Sequence, residues 1–461
     1  MILSERKDRD TIAAISTAQA PGGIGIVRIS GPRARAIADL VFRSPKGKKV
    51  AQAAGYTALY GWVYDGEEKL DEAVALVFAA PASFTGEDVV ELSCHGGVFI
   101  MRRVLEAVLA AGAAPAGPGE FTRRAFLNGK MGLTEAEAVM QVISAQGVQS
   151  ARAARAGKEG ALERRITAIR EKLIDAAAHL AAWADYPDDD VPQVNEAELL
   201  QALRDAREAL DKLLRQFDAG RAIREGVDTV IVGRPNVGKS TLMNLLAGCE
   251  RSIVTQYAGT TRDVVEDTVI LGDILLRLAD TAGIRSTEDP VESIGVNIAK
   301  NRLQSAQLVL AVFDASMPLE EEDKKLIAEL EGIPTVAIVN KTDLEPRIDM
   351  AYIQNVFAQV VSISARNGEG LEELQKACAQ VLETSSLNPS EGMLYTERQR
   401  DDAKQAFACV EEALFAMELG MTLDAVTVSV EGAVSALLEL TGERATEAVV
   451  DSVFEQFCVG K

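Results

Sequence analysis

The segment Gly233-Arg234-Pro235-Asn236-Val237-Gly238-Lys239-Ser240 follows the apolar run Thr229-Val230-Ile231-Val232 and precedes a helical pattern at Leu242, Leu245 and Leu246. That order of strand, glycine-rich loop and helix is the context a phosphate-binding loop requires. The glycines let backbone N–H groups turn inward around phosphates, and the helix N-terminus adds a favourable dipole. Lys239 is expected to bridge the terminal phosphates and Ser240 to ligate Mg2+, with Asn236, Val237, Gly238 and Thr241 completing the contact. This part of the chain is thereby committed to an α/β unit, and residues 226 to about 383 continue it. Strand-like runs at Leu308–Phe313, Thr335–Val339 and Val360–Ile363 alternate there with helical ones, the signature of a parallel sheet wrapped by helices.

Three further segments sharpen the reading. Asp280-Thr281-Ala282-Gly283 follows the strand-like run Ile274–Ala279, placing a carboxylate near the metal and a glycine amide near a γ-phosphate oxygen. Asn340-Lys341-Thr342-Asp343 follows the run Thr335–Val339. The Asp343 carboxylate accepts both the N1–H and the exocyclic amine of guanine, a pair adenine does not offer. Ser364-Ala365-Arg366 completes the base pocket. Together these resemble the translation-factor-related class of GTPases, so the expected nucleotide is GTP. Where Ras-like switches place a glutamine to orient water, this chain has Ile284, leaving Glu288, Asp289 and Glu292 as candidates. The Asn236 carboxamide is a candidate ligand for a monovalent cation against the phosphates, with ordinary loop hydrogen bonding as the alternative. In the switch segment Thr255 to Asp263, Thr261 is the choice for magnesium, while Arg262 and Arg285 are rival arginine fingers.

The rest of the chain supplies the setting. At 461 residues it is about three times the ~150 residues of one domain. The 48 Lys and Arg against 69 Asp and Glu leave a net charge of −21, which excludes coating of nucleic acid by bulk charge. The N-terminus lacks a secretory pattern and no apolar run approaches ~18 residues, so a soluble cytoplasmic protein without a membrane span is expected. Five scattered cysteines, Cys94, Cys249, Cys378, Cys409 and Cys458, suggest reduced thiols, and His95 and His179 are the only imidazoles. The fold class is therefore multidomain. Residues 1–125 read as an α+β domain, with strands at Gly25–Ile29 and Glu72–Phe78 and a helix near Val104–Ala111. Residues 126–220 and 385–461 read as an all-α domain into which an α/β P-loop domain, residues 221–384, is inserted. Leu162, Ile166, Ile169, Leu173, Ala177 and Leu180 form one helical stripe. Leu199, Leu203, Ala206, Leu210 and Leu213 form another, after an acidic break at Pro187–Pro192. Ser385–Gly392 is expected to be a linker.

Several segments beyond the nucleotide motifs resemble the MnmE (TrmE) family of tRNA-modification GTPases. They are Pro21–Gly31, Ser83–Asp88, His95-Gly96-Gly97, Pro118–Thr122, Arg124–Asn128, Ala258–Asp263 and the terminal Phe457-Cys458-Val459-Gly460-Lys461. The resemblance implies that the first domain binds tetrahydrofolate and dimerises. It also implies work with the flavoprotein MnmG on the wobble uridine of certain tRNAs, a folate supplying the one-carbon unit, and K+-stimulated GTP hydrolysis by G domains that meet in a homodimer. Matching positions place K+ among Asn236, Thr255, Tyr257 and Thr260, Mg2+ at Ser240 and Thr261, and water under the control of Glu292. Gln256, Ala258, Gly259, Thr281, Ala282 and Gly283 fall among the nucleotide contacts. Arg28, Glu91, Lys130 and Lys461 fall where the family binds 5-formyltetrahydrofolate or a related tetrahydrofolate. Arg28 and the lysines suit its glutamate tail, and Glu91 its pterin. Cys458 is a possible functional thiol, whereas Cys94 beside His95 is expected to be structural. The rivals are a regulatory or ribosome-assembly GTPase acting as an RNA-linked switch, and a folate-dependent transferase acting alone.

Overall fold

The computed structural model describes residues 10–185, 196–248, 267–272, 274–278, 306–382, 384 and 387–461. The chain divides into two compact units, Met1–Met140 with Val434–Lys461, and Gln141–Ala433.

The first unit is built on a seven-stranded sheet. Its strands are β1 (Ile12–Ile15), β2 (Gly25–Ser30), β3 (Phe42–Arg43), β4 (Thr57–Asp65), β5 (Glu68–Phe78), β6 (Val89–Cys94) and β7 (Ala114–Pro115), in the spatial order β3-β4-β5-β6-β2-β1-β7. Every pairing is antiparallel except β1 with β7. Alternation makes one face apolar: Leu59 and Val63 on β4, Ala73, Ala75 and Val77 on β5, and Val90, Leu92 and Cys94 on β6 are buried. Helices α1 (Ala34–Val41) and α2 (Val98–Ala110) contribute to the same core with Ala34, Ile37, Ala38 and Val41, and with Met101, Val104, Ala107 and Val108, spacings that put each set on one helical stripe. The strands and helix expected at Gly25–Ile29, Glu72–Phe78 and Val104–Ala111 are thus β2, β5 and α2. Helices α3 (Glu120–Leu127) and α4 (Leu133–Ser144) follow.

The second unit contains a helical part and a nucleotide-type sheet. Helices α5 (Val148–Lys158), α6 (Ala161–Asp185) and α7 (Glu196–Glu225) lead into the strand β8 (Val227–Val232). The stripe on α7 is buried at Leu199, Leu203, Ala206, Leu210 and Leu213, and that on α6 at Leu162, Ile166, Ile169 and Leu173, with Ala177 half-buried and the side chain of Leu180 outside those described. The acidic break between them lies outside the described residues. The sheet continues through α8 (Lys239–Ala247), β9 (Asp267–Leu271), β10 (Ile274–Leu278), β11 (Leu308–Asp314), α9 (Glu321–Glu329), β12 (Thr335–Asn340), α10 (Met350–Val356), β13 (Val360–Ser362) and α11 (Leu371–Val381). Its order is β13-β12-β11-β8-β10-β9, parallel throughout except for the edge strand β9. β11 is buried from Leu308 to Phe313, as a central strand covered on both faces must be.

Helices α12 (Glu397–Glu418), α13 (Leu423–Thr441) and α14 (Glu447–Glu455) close the chain. α12 packs along α7, so helices before and after the inserted sheet do meet. Of the segment expected to be a linker, residues 385 and 386 lie outside the described residues, while Pro389–Glu391 form a 3₁₀ turn and the Gly392 carbonyl accepts a 2.6 Å bond from Arg165 Nη1 on α6. Beyond α14, within the first unit, the chain end returns to the sheet. Val459 bridges Pro118, Phe121 N donates to the Lys461 carbonyl at 3.1 Å, and Gly460 has φ +98 with room for no Cβ beside the Ile15 carbonyl. Among the described residues no helix is long and apolar enough to cross a membrane.

Candidate functional site

β8 ends at Val232 and α8 begins at Lys239, so Gly233–Gly238 is the turn at the carboxyl end of a central strand. Gly238 has φ +102, and a Cβ there would sit 2.1 Å from Asn340 Nδ2. Only glycine gives both that backbone and that approach. Asn236 takes a left-handed φ of 64, which asparagine tolerates better than most residues. Lys239 Nζ donates to the Gly233 and Arg234 carbonyls at 2.6 and 2.7 Å. Burial lowers its pKa from the ordinary lysine value, so the ammonium is short of solvent and suited to an anionic ligand. Ser240 and Thr241 are exposed in the first turn of α8, and the Ser240 hydroxyl is the hard oxygen donor that Mg2+ takes.

The base-reading segments join this loop directly. Asn340, at the end of β12, donates from Nδ2 to the Val237 carbonyl at 3.0 Å and accepts at Oδ1 from Ala365 N at 3.0 Å. Lys341 Nζ donates to the Asn236 carbonyl at 2.8 Å and pairs with Asp314. The Asp343 carboxylate accepts from Ser364 Oγ at 2.8 Å, and Arg366, two residues after that serine, is exposed. One buried side chain therefore ties the phosphate loop to both loops that would frame guanine. Thr255, Gln256, Tyr257, Ala258, Gly259, Thr260, Thr261, Asp280, Thr281, Ala282, Gly283 and Glu292 lie outside the described residues, as do Arg262, Ile284, Arg285, Glu288 and Asp289.

In the first unit, Arg28 and Glu91 are register partners on β2 and β6, with Arg28 Nε 2.9 Å from Glu91 Oε1. The Arg28 guanidinium lies 5.5 Å from the Phe84 ring centre and 5.4 Å from that of Phe121. Phe121 is the residue whose amide binds the Lys461 carbonyl, and Lys130 Nζ donates to the Pro81 carbonyl at 3.1 Å. Arg28 and Glu91 thus form a single ion pair at one point of the sheet. Behind them Arg124, 1% exposed, donates to the Asp10 carbonyl at 2.8 Å, to Glu87 at 3.2 Å and to Glu120 at 2.9 Å, while Glu87 also accepts from Ser30 Oγ at 2.7 Å. That network fixes the loop carrying Phe84 against α3.

Cys458 is half-exposed, and its carbonyl accepts from Gly119 N at 3.3 Å. Cys94 is in the core, where burial and then Asp71 push its thiol up to about 12. His95 faces solvent, its Nδ1 2.8 Å from Asp71 Oδ1. The two side chains part company as adjacent residues of extended chain do.

Some residues of the site carry no motif. Asp314 with Ser316, which hold Lys341, and Asp323 with Glu320, which hold Arg234 of the phosphate loop, were not expected. The one local signal for Asp314 is a carboxylate closing an otherwise apolar strand.

Residues 133–458 match the family described as MnmE helical domain, and residues 11–130 the family described as GTP-binding protein TrmE N-terminus. The tRNA modification GTPase MnmE of Geobacillus kaustophilus (strain HTA426) is 43% identical over 459 residues, 98% of this chain and 99% of that protein. The tRNA modification GTPase MnmE of Acaryochloris marina (strain MBIC 11017) is 43% identical over 456 residues, with the same shares covered. That of Clostridioides difficile (strain 630) is 39% identical over 457 residues, again 98% of this chain and 99% of the relative.

Proposed function

We propose, on the premise that this chain belongs to the MnmE family, that it is a GTPase of tRNA modification whose phosphate loop, Asn340-Lys341-Thr342-Asp343 and Ser364-Ala365-Arg366 form one guanine nucleotide site. The observation that carries the proposal is Asn340, bonded at once to the Val237 carbonyl and the Ala365 amide. It makes base recognition and phosphate binding parts of one rigid cradle, which is what positioning of a phosphoryl group demands. Lys239 supplies charge to the terminal phosphates, and Ser240 with Thr261 would hold Mg2+. Bound magnesium neutralises charge that develops on the phosphate oxygens. Asn236, Thr255, Tyr257 and Thr260 would hold K+, and Glu292 would orient water.

The finer reading has three functional domains: residues 1–125 for folate and dimerisation, 126–220 with 385–461 helical, and 221–384 for GTP. With MnmG, the homodimer would install an aminomethyl or carboxymethylaminomethyl group at C5 of the wobble uridine of certain tRNAs, in the cytoplasm. The one-carbon unit would come from 5-formyltetrahydrofolate or a related tetrahydrofolate. The donor set in the first unit fits such a group: a carboxylate for pterin N–H donors at Glu91, the partly exposed ring of Phe84, and the cations Lys130 and Lys461 for a glutamate tail. The test is GTP hydrolysis in potassium against sodium at fixed ionic strength, with Asn236→Ala alongside. Stimulation by potassium that disappears in the variant is expected. Equal rates in both salts would overturn the cation-assisted mechanism and return Arg262 and Arg285 as candidates.

A further inference from the structure

β11 is apolar from Leu308 to Phe313 and ends in a single carboxylate, Asp314, whose side chain is 9% exposed. Both of its oxygens are engaged. Oδ1 accepts from the Ser316 amide at 2.9 Å and from the Ser316 hydroxyl at 2.6 Å, and Oδ2 accepts from Lys341 Nζ. Lys341, held at a left-handed φ of 68, donates a further bond from the same amine to the Asn236 carbonyl in the phosphate loop. Contact therefore runs from the end of β11, through the lysine that follows β12, to the loop that follows β8.

We propose that Asp314 is a positioning residue of the nucleotide site, acting through Lys341 to hold the phosphate loop at Asn236. The inference rests on the guanine nucleotide reading above. A lysine amine is a compact charge on a flexible four-carbon stem, and it points one way only when something fixes it. Asp314 does so, because Ser316 locks the carboxylate and the strand end locks the backbone behind it. Asn340, which ends β12 immediately before Lys341, holds the adjacent Val237 carbonyl, so two successive carbonyls of the phosphate loop are fastened from consecutive residues. Replacing the carboxylate by a neutral amide frees the amine to bind water and releases the Asn236 carbonyl.

The test is a double-mutant cycle in the full-length chain, with affinity for a fluorescent GDP as the readout and Asp314→Asn, Lys341→Met and the double variant compared. Absence of GDP binding by the unaltered chain would sink the nucleotide reading itself. Given that binding, Asp314→Asn is expected to weaken it about tenfold, equivalent to about 1.4 kcal/mol. The same change in the Lys341→Met background is expected to cost nothing further, because the two act as a unit. A carboxylate serving only to finish the strand would give equal losses with and without Lys341, or no loss of affinity, and either result overturns the proposal. Ser316→Ala provides a gentler second variant should Asp314→Asn fail to fold. Its loss is expected to be about threefold, again absent when Lys341 is methionine; a loss that persists in that background overturns the inference equally.

Discussion

Asn340→Ala should destabilise the nucleotide domain even with no nucleotide bound. Asn340 is 2% exposed, and its removal orphans two backbone groups, the Val237 carbonyl and the Ala365 amide, in residues that are 2% and 6% exposed. Each unpaired buried group costs about 1–3 kcal/mol, for a sum of about 2–6 kcal/mol. Water entering the vacated space brings this down to about 2–4 kcal/mol. A domain of this size loses roughly 2–4 °C per kcal/mol, so its melting temperature should fall by about 4–16 °C. Calorimetry on the full chain without nucleotide measures this, in the transition that GDP raises when added. Loss of GDP binding with that transition unmoved would refute the reasoning, since Asn340 would then act on the ligand alone.

The Asp71 hydrogen bond, and then its charge, raise the pKa of His95. The pair's stabilisation is therefore full below about 6.5 and lost as pH rises through the raised value. Proton NMR should show His95 titrating above the ordinary value, and Asp71→Asn should return it there; an unmoved titration would contradict the pairing. Burial, aided at Cys94 by Asp71, pushes Cys94 and Cys378 up to about 12, so both should resist thiol reagents at pH 8 until the chain unfolds. Rapid labelling of either in the folded protein would show the assignment to be wrong. Arg124→Met leaves Glu87 and Glu120 without their buried cation. Because those carboxylates are 17% and 22% exposed, denaturation should report the lower end of such losses, about 3 kcal/mol, and a neutral result would show that water replaces the arginine.

The nucleotide unit was legible in sequence because its signals are local. A glycine-rich turn after a four-residue apolar run, and Asn340-Lys341-Thr342-Asp343 after another, place β8, α8 and β12 with little ambiguity. The helical stripes of α6 and α7 were legible for the same reason, their period being visible within two or three turns. Longer-range relations left no such trace. That Arg28 faces Glu91 depends on the register of β2 against β6, and that Val459 bridges Pro118 depends on pairing across most of the chain. Asp314 acts through Lys341, a relation between two strand ends that no spacing announces. Ser385–Gly392 reads as a linker because proline and serine mark it, whereas the turn Pro389–Glu391 within it packs against α5 and α6.

Nucleotide choice is the most direct measurement of the site: initial rates with GTP, ATP and XTP for the full chain and for Asp343→Asn. The Asp343 carboxylate matches the donors of guanine, and an amide there matches the added carbonyl of xanthine. The unaltered chain should hydrolyse GTP and neglect ATP, and the variant should lose GTP and gain XTP. Equal hydrolysis of ATP and GTP by the unaltered chain would contradict the guanine site.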